Sequence, residues 1–95
     1  MSTTTGIELN EKNGYIYVAV DGKKEAKMTF VFAGEDTIVI DHTEVNPGYN
    51  GKGFGNKMLE KIVTFARDNQ IKIIPLCPFA KSVFDKTPDF KDVLK

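Results

Sequence analysis

Between Tyr15 and Val45 the chain sets short runs of β-branched and aromatic residues between turn signals, and after Asn56 the apolar spacing changes from two to three or four. Residues 15–20, Tyr-Ile-Tyr-Val-Ala-Val, have the composition of a strand. Asn13-Gly14 before them is a turn signal, and Asp21-Gly22 after them favours a tight hairpin turn. Residues 25–33 alternate loosely and end at Gly34-Glu35-Asp36, and residues 37–45 form the next strand. Ahead of these, Ile7-Glu8-Leu9 begins a first short strand after a frayed end at residues 1–5. Consecutive strands joined by short turns predict an antiparallel meander.

Residues 56–67 read as an amphipathic helix. Met58, Leu59, Ile62, Val63, Phe65 and Ala66 fall near one face, while Glu60, Lys61, Arg67 and Asp68 stay in water. Asp68-Asn69-Gln70 ends this helix, and residues 71–76 make a short strand. A right-handed crossover lays that strand parallel to the one at 37–45. Pro78 suits the first turn of a short helix over 79–86, Thr87-Pro88-Asp89 stops it, and residues 88–94 make a final helical turn. The whole is an α+β (α/β) fold: a mixed, mostly antiparallel sheet with one parallel pair, in a single domain spanning 1–95.

The glycines at 51, 53 and 55 lie where a strand turns into a helix. Without Cβ atoms there, the backbone takes positive φ and lets a ligand lie against its N–H groups. Together with the unpaired amides and positive dipole end of the helix, those groups make a receptor for a phosphate or diphosphate, to which Lys52 adds charge at the rim. The bland alternative is a tight corner with no ligand. A Walker loop is excluded because no Gly-Lys is followed by Ser or Thr. A dinucleotide fingerprint is disfavoured because the glycines are spaced two apart after an antiparallel meander.

Val45-x-Pro47-x-Tyr49-x-Gly51-Lys52-Gly53-x-Gly55, followed by a Leu-bearing helix, resembles the acetyl-CoA diphosphate loop of GCN5-related N-acetyltransferases, [QR]-x-x-G-x-[GA]. Asn50 stands at the Gln/Arg position, and Gly53 and Gly55 match. Pro75-x-Cys77-Pro78-Phe79 and Lys86-x-Pro88-Asp89-Phe90-x-Asp92-x-Leu94 resemble the small, single-domain branch of that superfamily. The resemblance implies acetyl-CoA or coenzyme A as cofactor, held by Val45, Asn50, Gly51, Lys52, Gly53, Phe54, Gly55 and Asn56. It also implies that the pantetheine arm enters between the two parallel strands. Lys81 or Ser82 would lie near the adenosine 3′-phosphate or the pantetheine.

Composition narrows the alternatives. Lys+Arg and Asp+Glu balance at 13 each, which argues against a protein held to nucleic acid mainly by phosphate contacts. No apolar run approaches the roughly 18 residues of a membrane span, and residues 1–5 are too short and polar for a secretory signal. The lone cysteine, Cys77, fits a reducing cytoplasm, and one His with one Cys falls short of a structural zinc set.

Acetyl transfer to an amine needs a base for the amine proton, a donor for the carbonyl oxygen and a means of neutralising the departing thiolate. The resemblance assigns the base to Glu44, where the superfamily often keeps a carboxylate. His42 falls on the same strand face by alternation, and imidazole is a side chain suited to taking a proton. The tyrosine that superfamily members use to protonate the thiolate has no counterpart, because the helix offers Val83 and Phe84. Cys77, at the end of a strand and the start of a helix, is the substitute: a thiol with lowered pKa, acting as nucleophile or proton donor, or else a small buried hydrophobe. Three functions follow: an acetyl-CoA-dependent N-acyltransferase acting on a primary amine of a small molecule or polypeptide, a non-catalytic CoA or acyl-CoA binding module, or an interaction domain without a ligand.

Overall fold

The computed structural model describes residues 2–95, and Met1 lies outside the described residues. Four antiparallel strands, β1 (Thr3–Leu9), β2 (Asn13–Val20), β3 (Lys23–Phe32) and β4 (Thr37–Val45), follow one another across the sheet. Helix α1 (Phe54–Asp68) then crosses over to β5 (Lys72–Pro75), which pairs parallel to β4. Helix α2 (Pro78–Lys86) and a closing 3₁₀ turn (Pro88–Val93) complete the chain. The sheet order is β1-β2-β3-β4-β5, as the meander and the crossover require.

Two local expectations are corrected. Residues 3–5 are not frayed: they open β1, pairing with Val18, Ala19 and Val20, and the Ser2 N–H donates to Asp21 Oδ1 (2.9 Å). Asn13 and Gly14 belong to β2 rather than to a turn, and the reversal lies over residues 10–12, closed by Asn10 N–H donating to the Asn13 carbonyl (2.8 Å). The Glu8 carbonyl and the Phe30 ring explain the glycine at 14, since a Cβ there would lie 2.6 Å from the former and 2.8 Å from Cζ of the latter.

Only one face of the sheet is covered. Ile16, Met28, Phe30, Ile38, Ile40 and Ile73 pack with Met58, Leu59, Ile62 and Ala66 of α1 and with Ala80 and Phe84 of α2 in a single core. Cross-strand partners share a face, so Tyr15↔Thr29, Tyr17↔Lys27 and Lys27↔Glu44 define the opposite, helix-free face. Arg67 ties the end of α1 to the 3₁₀ turn, its Nε and a terminal N–H donating to the two carboxylate oxygens of Asp92 (2.9 and 2.8 Å). That guanidinium holds Asp92 below its ordinary carboxylate range. The far edge of β5 is bridged by Leu94, with Lys95 N–H donating to the Ile73 carbonyl (3.0 Å). No helix among the described residues is long and apolar enough to cross a membrane.

Ile62 is fully buried, whereas Lys61 beside it is exposed. Ile62→Ala is expected to cost about 2–5 kcal/mol of stability. Lys61→Ala should stay within about 0.5 kcal/mol of the parent. Urea denaturation midpoints measure both.

Candidate active site

The site begins with one extra residue in β4. Thr29 of β3 faces His42, but Phe30 faces Ile40, so Asp41 is a bulge with no partner of its own. Thr29 Oγ1 donates to Asp41 Oδ1 at 2.6 Å and fastens it. Alternation then changes phase: Ile38 and Ile40 point into the core before the bulge, and Thr43 and Val45, opposite Met28 and Ala26, point inward after it. His42 and Glu44 are turned onto the helix-free face.

On its other side β4 loses its neighbour at the same place. Pairing ends at Ile40↔Pro75, and the N–H groups of Leu76 and Cys77 both donate to the Ile40 carbonyl (3.0 and 3.1 Å). Pro78 then starts α2 while β4 continues through residues 41–45, so the parallel strands diverge. Across the opening, the Cys77 thiol donates to Thr43 Oγ1 at 3.3 Å.

Beyond Val45 the loop reaches α1 through glycines at positive φ: Gly48 at 94°, Gly51 at 79° and Gly53 at 80°. At each of these, no protein atom lies within 4 Å of where a Cβ would be. Gly55 is required for a different reason. Its backbone is helical, and an added Cβ would collide with the Phe79 ring of α2.

Gly53 is the N-cap of α1 in the left-handed conformation, so no side chain caps the helix, and its first turn carries no acidic residue. Residues 50 and 51 form an open turn, and among the described residues none of the backbone N–H groups from Asn50 to Asn56 makes a hydrogen bond of normal geometry to a protein acceptor. A concentration of free donors at a helix N-terminus is a physical description of an anion site. These donors border a cleft of about 510 Å³, with Asn50, Gly51, Gly53, Phe54, Gly55 and Asn56 on one side and Thr43, Val45 and Phe79 on the other.

The structure thus gathers most of the residues singled out from sequence and separates others. Val45 and the loop residues share the cleft. Lys52 is exposed at the loop but is not part of the cleft lining. Lys81, expected near the adenosine 3′-phosphate or the pantetheine, lines a separate depression with Ile74, Pro75, Phe84 and Asp85. His42 Nε2 lies 3.8 Å from Glu44 Oε2, both side chains well exposed, on the face opposite Cys77. The three candidate catalytic groups therefore flank β4 and do not form one cluster. Thr43 also lines the cleft, as do Tyr49 and Phe79, which the sequence marks as motif residues but not as ligand contacts. Thr43 shares parity with the apolar Val45, which was the signal available for it.

Cys77 is buried, at 6% exposure, and is the N-cap of α2. Burial pushes its thiol up, but the Thr43 hydroxyl and the amides of Ala80 and Phe79 outweigh it, leaving the pKa below the ordinary 9.0. In the thiolate form the Thr43 hydroxyl reverses and becomes the donor.

Comparison with known proteins bears on the family and the fold. Residues 15–93 match the family model described as GCN5-related N-acetyl-transferase. A solution structure of a GCN5-like candidate N-acetyltransferase from Staphylococcus aureus is 36% identical, with a TM-score of 0.71 over 95% of this chain and 87% of that one. A ribosomal-protein-alanine N-acetyltransferase from Brucella melitensis shares the fold at 16% identity, with a TM-score of 0.70 over 81% of this chain and 62% of that one. An aminoglycoside acetyltransferase from an uncultured soil metagenomic sample, in complex with sisomicin, does so at 16% identity and a TM-score of 0.64, over 90% of this chain and 59% of that one. The chain thus spans about three-fifths of the length of the latter two. No curated protein sequence matches the chain significantly.

Because the folded pKa of Cys77 is lowered, its thiolate fraction rises at lower pH than in the unfolded chain. Rates of alkylation by iodoacetamide, measured against pH, should show a lower midpoint in the native protein than in urea. Thr43→Val removes a donor to the thiolate and should move the native midpoint upward.

Proposed function

The chain belongs to the GCN5-related N-acetyltransferase family, and from that premise we propose that it transfers an acetyl group from acetyl-CoA to a primary amine. The observation that carries the reading is the run of unpartnered N–H groups from Asn50 to Asn56, set beside a cleft that leads toward the point where β4 and β5 separate. That chemistry fits the diphosphate of coenzyme A: several fixed donors, a helix dipole, and no carboxylate in the first turn of α1 to repel it. The cosubstrate supplies an acetyl group activated as a thioester.

The chain's own residues supply the rest. Amides at 50–56 bind the diphosphate, and Lys52 adds positive charge at the edge. The unpaired edge of β4 over residues 41–45 offers backbone groups to an extended pantetheine chain. Glu44, with His42 beside it, lies on the open face of the sheet and accepts the proton lost by an amine arriving from that side. The α2 N-terminus, with no side-chain cap, favours the negative charge of a departing thiolate, and Cys77, whose thiol sits behind Thr43 of the cleft wall, is the proton donor assigned to that side. Direct transfer is the simpler course, because Cys77 has Thr43 rather than a base as its partner. The acceptor meets a helix-free, shallow face, which suits an extended polypeptide or a site shared with another molecule.

A second reading is a CoA-binding module without catalysis. It is favoured by α2, which presents a half-buried Val83 and a buried Phe84 and no phenol.

Coenzyme A at a hundredfold excess over its Kd should stabilise the native state by about 2.7 kcal/mol, read as a rise in Tm. Gly53→Val, which places a branched side chain at φ 80° where the phosphates would lie, should remove that rise. A folded Gly53→Val protein that still responds to CoA would refute the loop assignment. Separately, amine-dependent release of free thiol from acetyl-CoA should fall at least tenfold in Glu44→Gln. Binding without amine-dependent release would establish the second reading instead.

A further inference from the structure

One buried charge is unused by the site as described. Glu25 of β3 is only 8% exposed and is the one carboxylate among the buried residues. A buried carboxylate is costly unless its oxygens are satisfied, so its partners are informative. They belong to the loop. The Asn46 N–H donates to the Glu25 carbonyl (2.8 Å), and the Asn46 side-chain amide donates to Glu25 Oε1 (2.8 Å). Asn46 is the first residue after β4, and its own carbonyl accepts the Tyr49 N–H (3.1 Å). The Tyr49 ring stacks on Phe54, the first residue of α1, with centroids 5.6 Å apart and planes 20° apart. Burial, and after it the nearby charge of Glu25, hold the Tyr49 phenol above its ordinary range.

We infer that Glu25 is the positioning residue of the anion loop: through Asn46, Tyr49 and Phe54 it fixes both the start of the loop and its junction with α1. The inference rests on the reading of 50–56 as the diphosphate site, and it assigns to β3 a control over that site made without touching the ligand. Its physical basis is preorganisation. The loop contains Gly48, Gly51 and Gly53 at positive φ, so a free loop would have much conformational entropy to lose on binding. A carboxylate that has given up water for Asn46 removes that freedom in advance.

The test is calorimetric titration of CoA into the wild type, Glu25→Ala, Glu25→Gln, Asn46→Ala and the double alanine variant. Amide hydrogen exchange of the ligand-free proteins is measured alongside. Glu25→Ala should weaken CoA binding by about tenfold or more. Glu25→Gln, whose amide oxygen still accepts from Asn46, should recover most of that loss. The double variant should bind no worse than the weaker single one, because the two residues act through one contact. Without CoA, exchange over residues 48–56 should quicken in Glu25→Ala while Met28 and Ile40 stay protected. Wild-type affinity in Glu25→Ala, or Glu25→Gln as weak as alanine, would overturn the inference. Should Glu25→Ala fail to fold, Asn46→Ala carries the same expectations. A wild type that ignores CoA would sink the diphosphate reading, and the exchange comparison would still decide whether Glu25 orders the loop.

Discussion

A folded protein seldom leaves a run of main-chain donors without acceptors, and here such a run occupies the turn from β4 into α1. The rest of the fold creates and preserves that condition. Glycines at 51 and 53 hold the loop at positive φ, Gly51 within a turn, and leave its N–H groups without close protein acceptors. Gly53 as N-cap denies α1 the side-chain oxygen that usually closes a helix end. Gly55 lets α2 approach closely enough for Phe79 to wall the cleft. Each feature makes the isolated chain less satisfied, which is reasonable where an anion completes the set.

The second constraint is the phase of β4. One bulged residue, Asp41, decides which side chains face the core and which face the open sheet. It places Thr43 against Cys77 and sends His42 and Glu44 to the other face. The loss of β5 pairing begins beside the same residue, since Ile40 is the last partner of Pro75. Bulge and divergence together yield a strand accessible on both faces along one segment. Under the proposed function, the cofactor side and the acceptor side would be served by alternate residues of a single strand.

Much of this was legible in the sequence. The meander, the crossover helix with its apolar face through Ile62 and Ala66, and the parallel β5 follow from periodicity and turn residues. Membership of the acetyltransferase family was visible in the loop and in Pro75-x-Cys77-Pro78-Phe79. The bulge was not visible: Asp41 is an ordinary polar residue in a strand, and only the register shift between Thr29 and Phe30 reveals it. Strict alternation put His42 and Glu44 together correctly but gave no indication that they face away from Cys77. Asn13-Gly14 has a turn's composition, yet it lies in β2 because Phe30 packs against Gly14 and the chain reverses earlier. The depression that Lys81 lines was not legible, because a long polar side chain on a short helix has no periodic signal for the neighbour it will meet. Glu25 reads as a solvated strand residue until Asn46 is seen beside it.

The central claim is that main-chain donors at 50–56 hold the diphosphate, and it is tested most directly by amide chemical shifts. Coenzyme A and pantetheine, which lacks the diphosphate, are titrated separately into labelled protein. The account predicts that CoA shifts the amides of residues 50–56 most strongly and that pantetheine leaves them nearly unmoved. Equal affinity for both ligands, or CoA-induced shifts confined to other segments, would contradict it.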